Sequence, residues 1–300
     1  MGLKLPKRSA APKRLASIAL LSGTLLLLGA CSEADKEQMR RLAMPEPITA
    51  QAPATFDLWK WAWVAAMVVG VITWGLIFYA IWRFRRRHED EVPVQTRYNL
   101  PLEVFYTITP ILMVVVFFFW TVDVQDTMTE TVDDPDVTLE VVGQQWSWTF
   151  NYGLGEGDPI NADPENHVYA YDEYAFTAGT ASVIPTLVLP VDQTVQFNLH
   201  SPDVIHSFGI PEFLMKLDVI PGQVNSFQAT PTVEGTFPGK CYELCGTSHS
   251  RMLFNVEVVS LAEYEQYIAT LPTSPDGKPV LGGADSTTVP GLETQEGAHE

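Results

Sequence analysis

Gly239-Lys240-Cys241-Tyr242-Glu243-Leu244-Cys245-Gly246-Thr247-Ser248-His249-Ser250-Arg251-Met252 places two cysteines, a histidine and a methionine within twelve residues. Thiolate and thioether sulfur together with imidazole form a soft donor set, which selects copper, or zinc where no thioether takes part. A single-copper site built from one cysteine, two histidines and a weak axial methionine needs only one thiolate. Two thiolates can bridge two ions, and each ion then requires an imidazole. His249 supplies one. His206, in Asp203-Val204-Ile205-His206-Ser207-Phe208, is best placed to supply the other, from the loop expected after the strand-like run Thr194–Leu199. Two alternatives stay open from these residues. A Cys241–Cys245 disulfide leaves both histidines and Met252 without a role, and a Cys2His2 zinc site leaves Met252 idle.

The chain around this segment reads as short β-rich runs. Residues 137–142, 146–150, 186–189, 194–199, 226–229 and 254–259 are rich in Val, Phe, Trp and Thr and are punctuated by Pro and Gly, the pattern of strands in an all-β sandwich or barrel. A helical period is found only at Leu261–Leu271. Residues 153–182 are rich in Gly, Asp and Tyr and read as a long acidic surface loop. Residues 272–300 read as a disordered tail. The β-rich domain is therefore expected over residues 123–271.

Two apolar stretches upstream, about Leu58–Trp82 and Leu102–Val122, are long enough to cross a bilayer. Trp59, Trp61, Trp63 and Trp82 bracket the first, and Trp120 closes the second, as interfacial aromatic belts do. Between them lies Arg83-Phe84-Arg85-Arg86-Arg87-His88, a loop that the positive-inside rule assigns to the cytoplasm. Residues 58–122 are thus expected to form a helical hairpin in the plasma membrane with both flanking segments outside. Residues 1–30 carry a basic stretch followed by an apolar one, as secretory signals do. They end in Leu28-Gly29-Ala30-Cys31, which resembles a bacterial lipobox, with Cys31 as the lipidated residue. Residues 31–57 are polar and read as an extracytoplasmic tether.

Charge is split unevenly. Beyond Val122 only Lys216, Lys240, Arg251 and Lys278 are basic, against 27 Asp and Glu. So acidic a region argues against nucleic-acid binding and favours a cationic protein partner. The three cysteines are too few for a disulfide framework.

The segment 239–252 is similar to the CuA loop of cytochrome c oxidase subunit II. Asp203–Phe208 and Lys216-Leu217-Asp218-Val219-Ile220-Pro221-Gly222 match the same family. The resemblance covers roughly residues 58–260, and the signal, the lipobox and Tyr98–Glu103 look most like actinobacterial members. It implies a cupredoxin-like Greek-key domain behind a two-helix hairpin. It implies that Cys241 and Cys245 bridge two copper ions, with His206 and His249 capping one each. Met252 is then a weak ligand to one ion and the Glu243 backbone carbonyl a weak ligand to the other. The Glu243 side chain is implied to reach a Mg2+ or Mn2+ ion shared with subunit I.

Gly143-Gln144-Gln145-Trp146-Ser147-Trp148 resembles the family's aromatic segment where electrons come in, with Trp146 at that position. The Trp-x-Trp spacing by itself shows only that both rings share a face. Glu103, at the cytoplasmic start of the second span, is an intramembrane acid and so a functional candidate. It aligns with the glutamate at the mouth of the family's lysine-containing proton pathway. The implied partners are subunits I and III and a cytochrome c, or a cytochrome c domain of a cytochrome bc complex in a supercomplex, which the stretch 153–182 could contact. The implied activity is electron relay to haem in subunit I, where O2 is reduced to water as protons are pumped. Nitrous oxide reductase also carries a CuA loop, but behind a large soluble propeller. Quinol oxidase subunit II lacks the copper ligands. A copper-delivery membrane lipoprotein is the remaining alternative, though such carriers rarely need a two-helix hairpin with an intramembrane acid.

Overall fold

A computed structural model of the chain describes residues 32–88, 91–92, 94–155, 158–159, 169–180, 182–274 and 278–281. The signal segment and Cys31 lie outside these residues. A first unit, Met1–Pro45, contributes helix α1 (Glu33–Arg40). Ser32 starts α1 with a reciprocal capping box to Asp35, which satisfies N–H groups that a helix start leaves unpaired. Part of the expected tether is thus helical.

The second unit, Glu46–Glu300, opens with two long helices, α2 (Ala52–Arg83) and α3 (Leu100–Thr129). Proline in the first turn of each costs no hydrogen bond there. The Asn99 side chain caps α3 by accepting from the Leu102 N–H over 3.3 Å. At about 1.5 Å per residue both helices exceed the roughly 30 Å hydrocarbon core of a bilayer. Each contains an apolar window of mean hydropathy 2.2, none of it buried within the protein. Side chains such as Val71, Phe78, Val114 and Phe119 therefore stand exposed, as suits helices surrounded by lipid or partner helices.

The β domain follows. Its strands are β1 (Val137–Gln144), β2 (Ser147–Leu154), the two-residue pair β3 (Asp158–Pro159) and β4 (Tyr169–Ala170), β5 (Glu173–Ala178) and β6 (Thr186–Pro190). They continue with β7 (Val195–His200), β8 (His206–Ile210), β9 (Met215–Val219), β10 (Asn225–Ala229), β11 (Gly235–Cys241) and β12 (Leu253–Val259), and helix α4 (Leu261–Ile268) closes the domain. One five-stranded sheet has the order β10-β7-β1-β2-β5, the other β6-β12-β11-β8-β9. Both are mixed, because β1 runs parallel to β7 and β6 parallel to β12. Their facing sides share one core, centred on Trp148, Phe208 and Phe254. Trp148 meets the other two rings edge-on at 5.5 and 5.4 Å, and Phe208 stacks on Phe254 at 4.9 Å. β12 shows the alternation that makes such a core, with Phe254, Val256 and Val258 buried and Leu253, Asn255 and Glu257 exposed.

All six strand runs expected from sequence are found. Six further named strands, β3, β4, β5, β8, β9 and β11, were not expected. Residues 153–182 are not one loop: β2 continues to Leu154, and β5 pairs with it through Thr149–Leu154. β11 contains Gly235, Pro238 and Gly239, which read locally as turn residues. Proline is tolerated there because β8 pairs only with Lys240 and Cys241, so Pro238 has a single neighbouring strand. The tail also begins in contact with the domain: Thr273 bridges to Ala175, and the Val280 N–H donates to the Asn151 side chain over 2.7 Å.

The outer side of the first sheet is polar yet buried. Glu140 accepts from Asn198 over 2.8 Å and pairs with His200. Gln228 exchanges two hydrogen bonds with the backbone of Val132, at 2.7 and 2.8 Å, which fastens the α3–β1 connection to the sheet.

Candidate metal centre

Cys241 ends β11 and Met252 precedes β12, so the antiparallel ladder between these strands holds both ends of the ligand loop. The Cys241 N–H donates to the Met252 carbonyl over 3.0 Å. β8 lies on the other side of β11, with Cys241 opposite Phe208, and this brings His206 beside Cys241. His206 is not in a loop, as its sequence position suggests. It is the first residue of β8 and is fully buried. The loop Ser201–Ile205 merely delivers it.

The donor atoms converge. The sulfurs of Cys241 and Cys245 stand 3.9 Å apart, too far for a disulfide bond of about 2.05 Å, and both thiols are free. His206 Nδ1 lies 4.0 Å from Cys241 Sγ, and His249 Nδ1 3.5 Å from Cys245 Sγ. Met252 Sδ is 3.7 Å from Cys245 Sγ, and the Glu243 carbonyl oxygen 3.2 Å from Cys241 Sγ. His206, Cys241 and Cys245 form a buried group able to hold a metal. At a metal–thiolate distance of about 2.3 Å, one ion can reach both sulfurs. Glu243 itself is exposed.

Electrostatics favour a cation here. Burial pushes the Cys241 thiol up, but hydrogen bonds from His206, the Ser207 backbone and others outweigh it and leave it at about 7. Burial and the neighbouring Cys241 charge push the Cys245 thiol up to about 12. The Cys241 charge thus opposes ionisation of Cys245, a repulsion that a positive ion between the two sulfurs would relieve. The donor set therefore fits copper, with sulfur, imidazole, thioether and carbonyl all in place.

Asp203 and Gln145 also belong to the site, although sequence reading passed over both. One oxygen of Asp203 accepts from His206 Nε2 over 2.9 Å, and the other accepts the Gln145 backbone N–H over 2.7 Å. This fixes the tautomer that leaves Nδ1 facing the sulfurs. Burial lowers the His206 pKa, but its bonds to Asp203 and Cys241 carry it above the ordinary value. Burial raises that of Asp203, but His206 and two backbone N–H groups bring it below. The Asp-x-x-His spacing was a usable signal. Gln145 had none, because Asp203 lies 58 positions further along the chain.

Residues 137–259 match the family described as "Cytochrome C oxidase subunit II, periplasmic domain". A probable cytochrome c oxidase subunit 2 of Streptomyces avermitilis is 45% identical over 84% of this chain and 85% of its own length. The chain belongs to the cytochrome c oxidase subunit II family. Cytochrome c oxidase subunit 2 of Corynebacterium glutamicum is 38% identical over 79% of this chain and 77% of its own. The periplasmic domain of subunit II of cytochrome oxidase from Bradyrhizobium japonicum is similar at 27% identity, covering 47% of this chain and 96% of that one, with a TM-score of 0.38. As a member of this family the chain is a component of a respiratory oxidase that works with other oxidase subunits, and its two apolar helices agree with a place in a membrane.

In this family member the donor atoms of His206, Cys241 and Cys245 lie within 4.8 Å of one another, and His249, Met252 and the Glu243 carbonyl each approach one of the two sulfurs. Trp146 touches this cluster: half-buried in the β1–β2 turn, it donates its indole N–H to the Cys245 carbonyl over 3.1 Å. Trp148 is core, and donates to the Met252 carbonyl over 3.4 Å. Both indoles therefore aim at the ligand loop. Glu103 is not part of the cluster. It lies in the first turn of α3, where its carboxylate accepts the Asn99 N–H over 2.9 Å and complements the helix dipole.

Proposed function

We propose that this chain is the copper-bearing electron relay of its oxidase. It takes electrons from a cytochrome c, or a tethered cytochrome c domain, and passes them to haem in subunit I, where O2 is reduced and protons are pumped. The observation that carries this reading is the approach of two free thiols to 3.9 Å with an imidazole beside each. Two copper ions held at these thiolates would supply one-electron storage spread over two metals, so that the charge change at each is small. His206 and His249 would hold the copper with them, Met252 and the Glu243 carbonyl would serve as weaker donors, and the paired strands β8, β11 and β12 keep the donors from moving.

Trp146, half-buried against the Cys245 carbonyl, is the point where electrons arrive. The acidic β domain attracts a basic donor. The exposed Glu243 carboxylate serves a Mg2+ or Mn2+ ion at the contact with subunit I. Glu103 receives protons on the cytoplasmic side. The β domain and the N-terminus lie outside, with Cys31 carrying a lipid anchor after removal of residues 1–30.

The full chain, purified in detergent and loaded with copper, tests the centre. Two coppers per chain with a mixed-valence EPR and near-infrared spectrum are expected. One copper per chain with a single-ion spectrum overturns the reading. Co-purification with a haem-bearing large subunit tests the assembly.

A further inference from the structure

The Cys245 carbonyl oxygen is held by two side-chain donors. Gln145 Nε2 reaches it over 2.7 Å and Trp146 Nε1 over 3.1 Å. Because the facing atom is a carbonyl oxygen, the Gln145 amide must present its nitrogen. The residue after Cys245 is shaped for this approach. Gly246 adopts φ +123°, and a Cβ there would come within 3.0 Å of both the Gln145 amide and the Trp146 ring. Gln145 is also held from behind, since its backbone N–H donates to the Asp203 carboxylate that orients His206. One residue thus bonds to a thiol-bearing residue on one side and to the orienting partner of an imidazole on the other.

We propose that Gln145 is a positioning residue of the metal centre: its amide and the Trp146 indole clamp the Cys245 carbonyl, set the reduction potential of the site and keep Trp146 against it. Two N–H dipoles aimed at the carbonyl of a metal-binding residue favour the electron-richer, reduced state. Gln145 meets no donor atom directly and acts through Cys245 and Asp203. The proposal rests on the copper reading above.

The experiment uses the full chain in detergent, loaded with copper, and compares it with Gln145→Met and Gln145→Glu. Methionine has a similar length but no N–H, and glutamate places negative charge where the donor was. Copper content and melting temperature report the fold, and reduction potential and EPR hyperfine splitting report the clamp. Gln145→Met is expected to keep its copper and its melting temperature while its reduction equilibrium moves several-fold toward the oxidised form. Gln145→Glu is expected to move it further the same way. An unchanged potential and spectrum in both variants, with copper bound, overturns the proposal. Should both lose copper, Gln145→Asn is measured instead, since it keeps the amide but withdraws it by one methylene. An unchanged potential there also overturns the proposal. Failure of the unsubstituted chain to take up copper would sink the metal reading itself, and this proposal with it.

Discussion

The Met252 carbonyl receives two donors, the Cys241 backbone N–H at 3.0 Å and the Trp148 indole N–H at 3.4 Å. The two ends of the ligand loop are thereby joined to each other and to the largest ring of the core. Loop geometry and core packing are one structure at this point.

Trp148 and Trp146 should therefore behave differently. Trp148→Ala empties a fully buried site against the edges of Phe208 and Phe254 and is expected to cost about 3–5 kcal/mol in denaturant unfolding. Trp146→Ala removes a half-buried turn residue and should change unfolding far less, while slowing electron uptake from the donor. Equal losses of stability in the two variants would contradict this division.

Gly239 is required by close packing. A Cβ there would lie 2.0 Å from the Phe254 ring, which is stacked on Phe208. Gly239→Ala is expected to destabilise the domain by about 1–3 kcal/mol or more through overpacking next to Cys241. Thermal unfolding of the purified chain measures it, and a melting temperature equal to the parent's would show that Phe254 can yield.

Glu103→Gln separates the acid from the cap. The glutamine Oε1 can still accept the Asn99 N–H, so α3 should begin unchanged. Haem reduction in the assembled oxidase is expected to slow, while the near-infrared copper absorption stays the same. Normal turnover would leave Glu103 with only its capping role.

Metal uptake should weaken in acid. Cys245, pushed up to about 12, keeps its proton in the metal-free site, whereas Cys241, at about 7, ionises near neutrality. Binding must expel these protons, so affinity falls as pH falls, and loading at about pH 5.5 should be weaker than at about pH 8. Calorimetry in buffers of differing ionisation heat should show net proton release on binding. Proton uptake would contradict the assignment of both thiols as ligands.

Much of the site was legible because its ligands are local. Cys241, Cys245, His249 and Met252 lie in one short loop, and donor softness does not depend on the fold. The apolar runs of α2 and α3 and the period-two alternation of β12 were legible for a similar reason, since each reflects its environment residue by residue. β11 was hidden because Pro238 and Gly239 argue locally for a turn, and only the one-sided pairing of that strand makes them acceptable. β8 was hidden because five residues carry too little pattern, and with it the true setting of His206.

The sequence by itself determined a soft donor set in one short loop, the family, and two helices fit for a membrane, all properties of residue type and near spacing. Only the tertiary structure decided that His206 opens a strand beside Cys241, that Asp203 orients it, and that Gln145 and Trp146 grip the Cys245 carbonyl. Those contacts join residues up to a hundred positions apart, and a separation of that size leaves no periodic trace. It closes only when two sheets pack and their strand order is set.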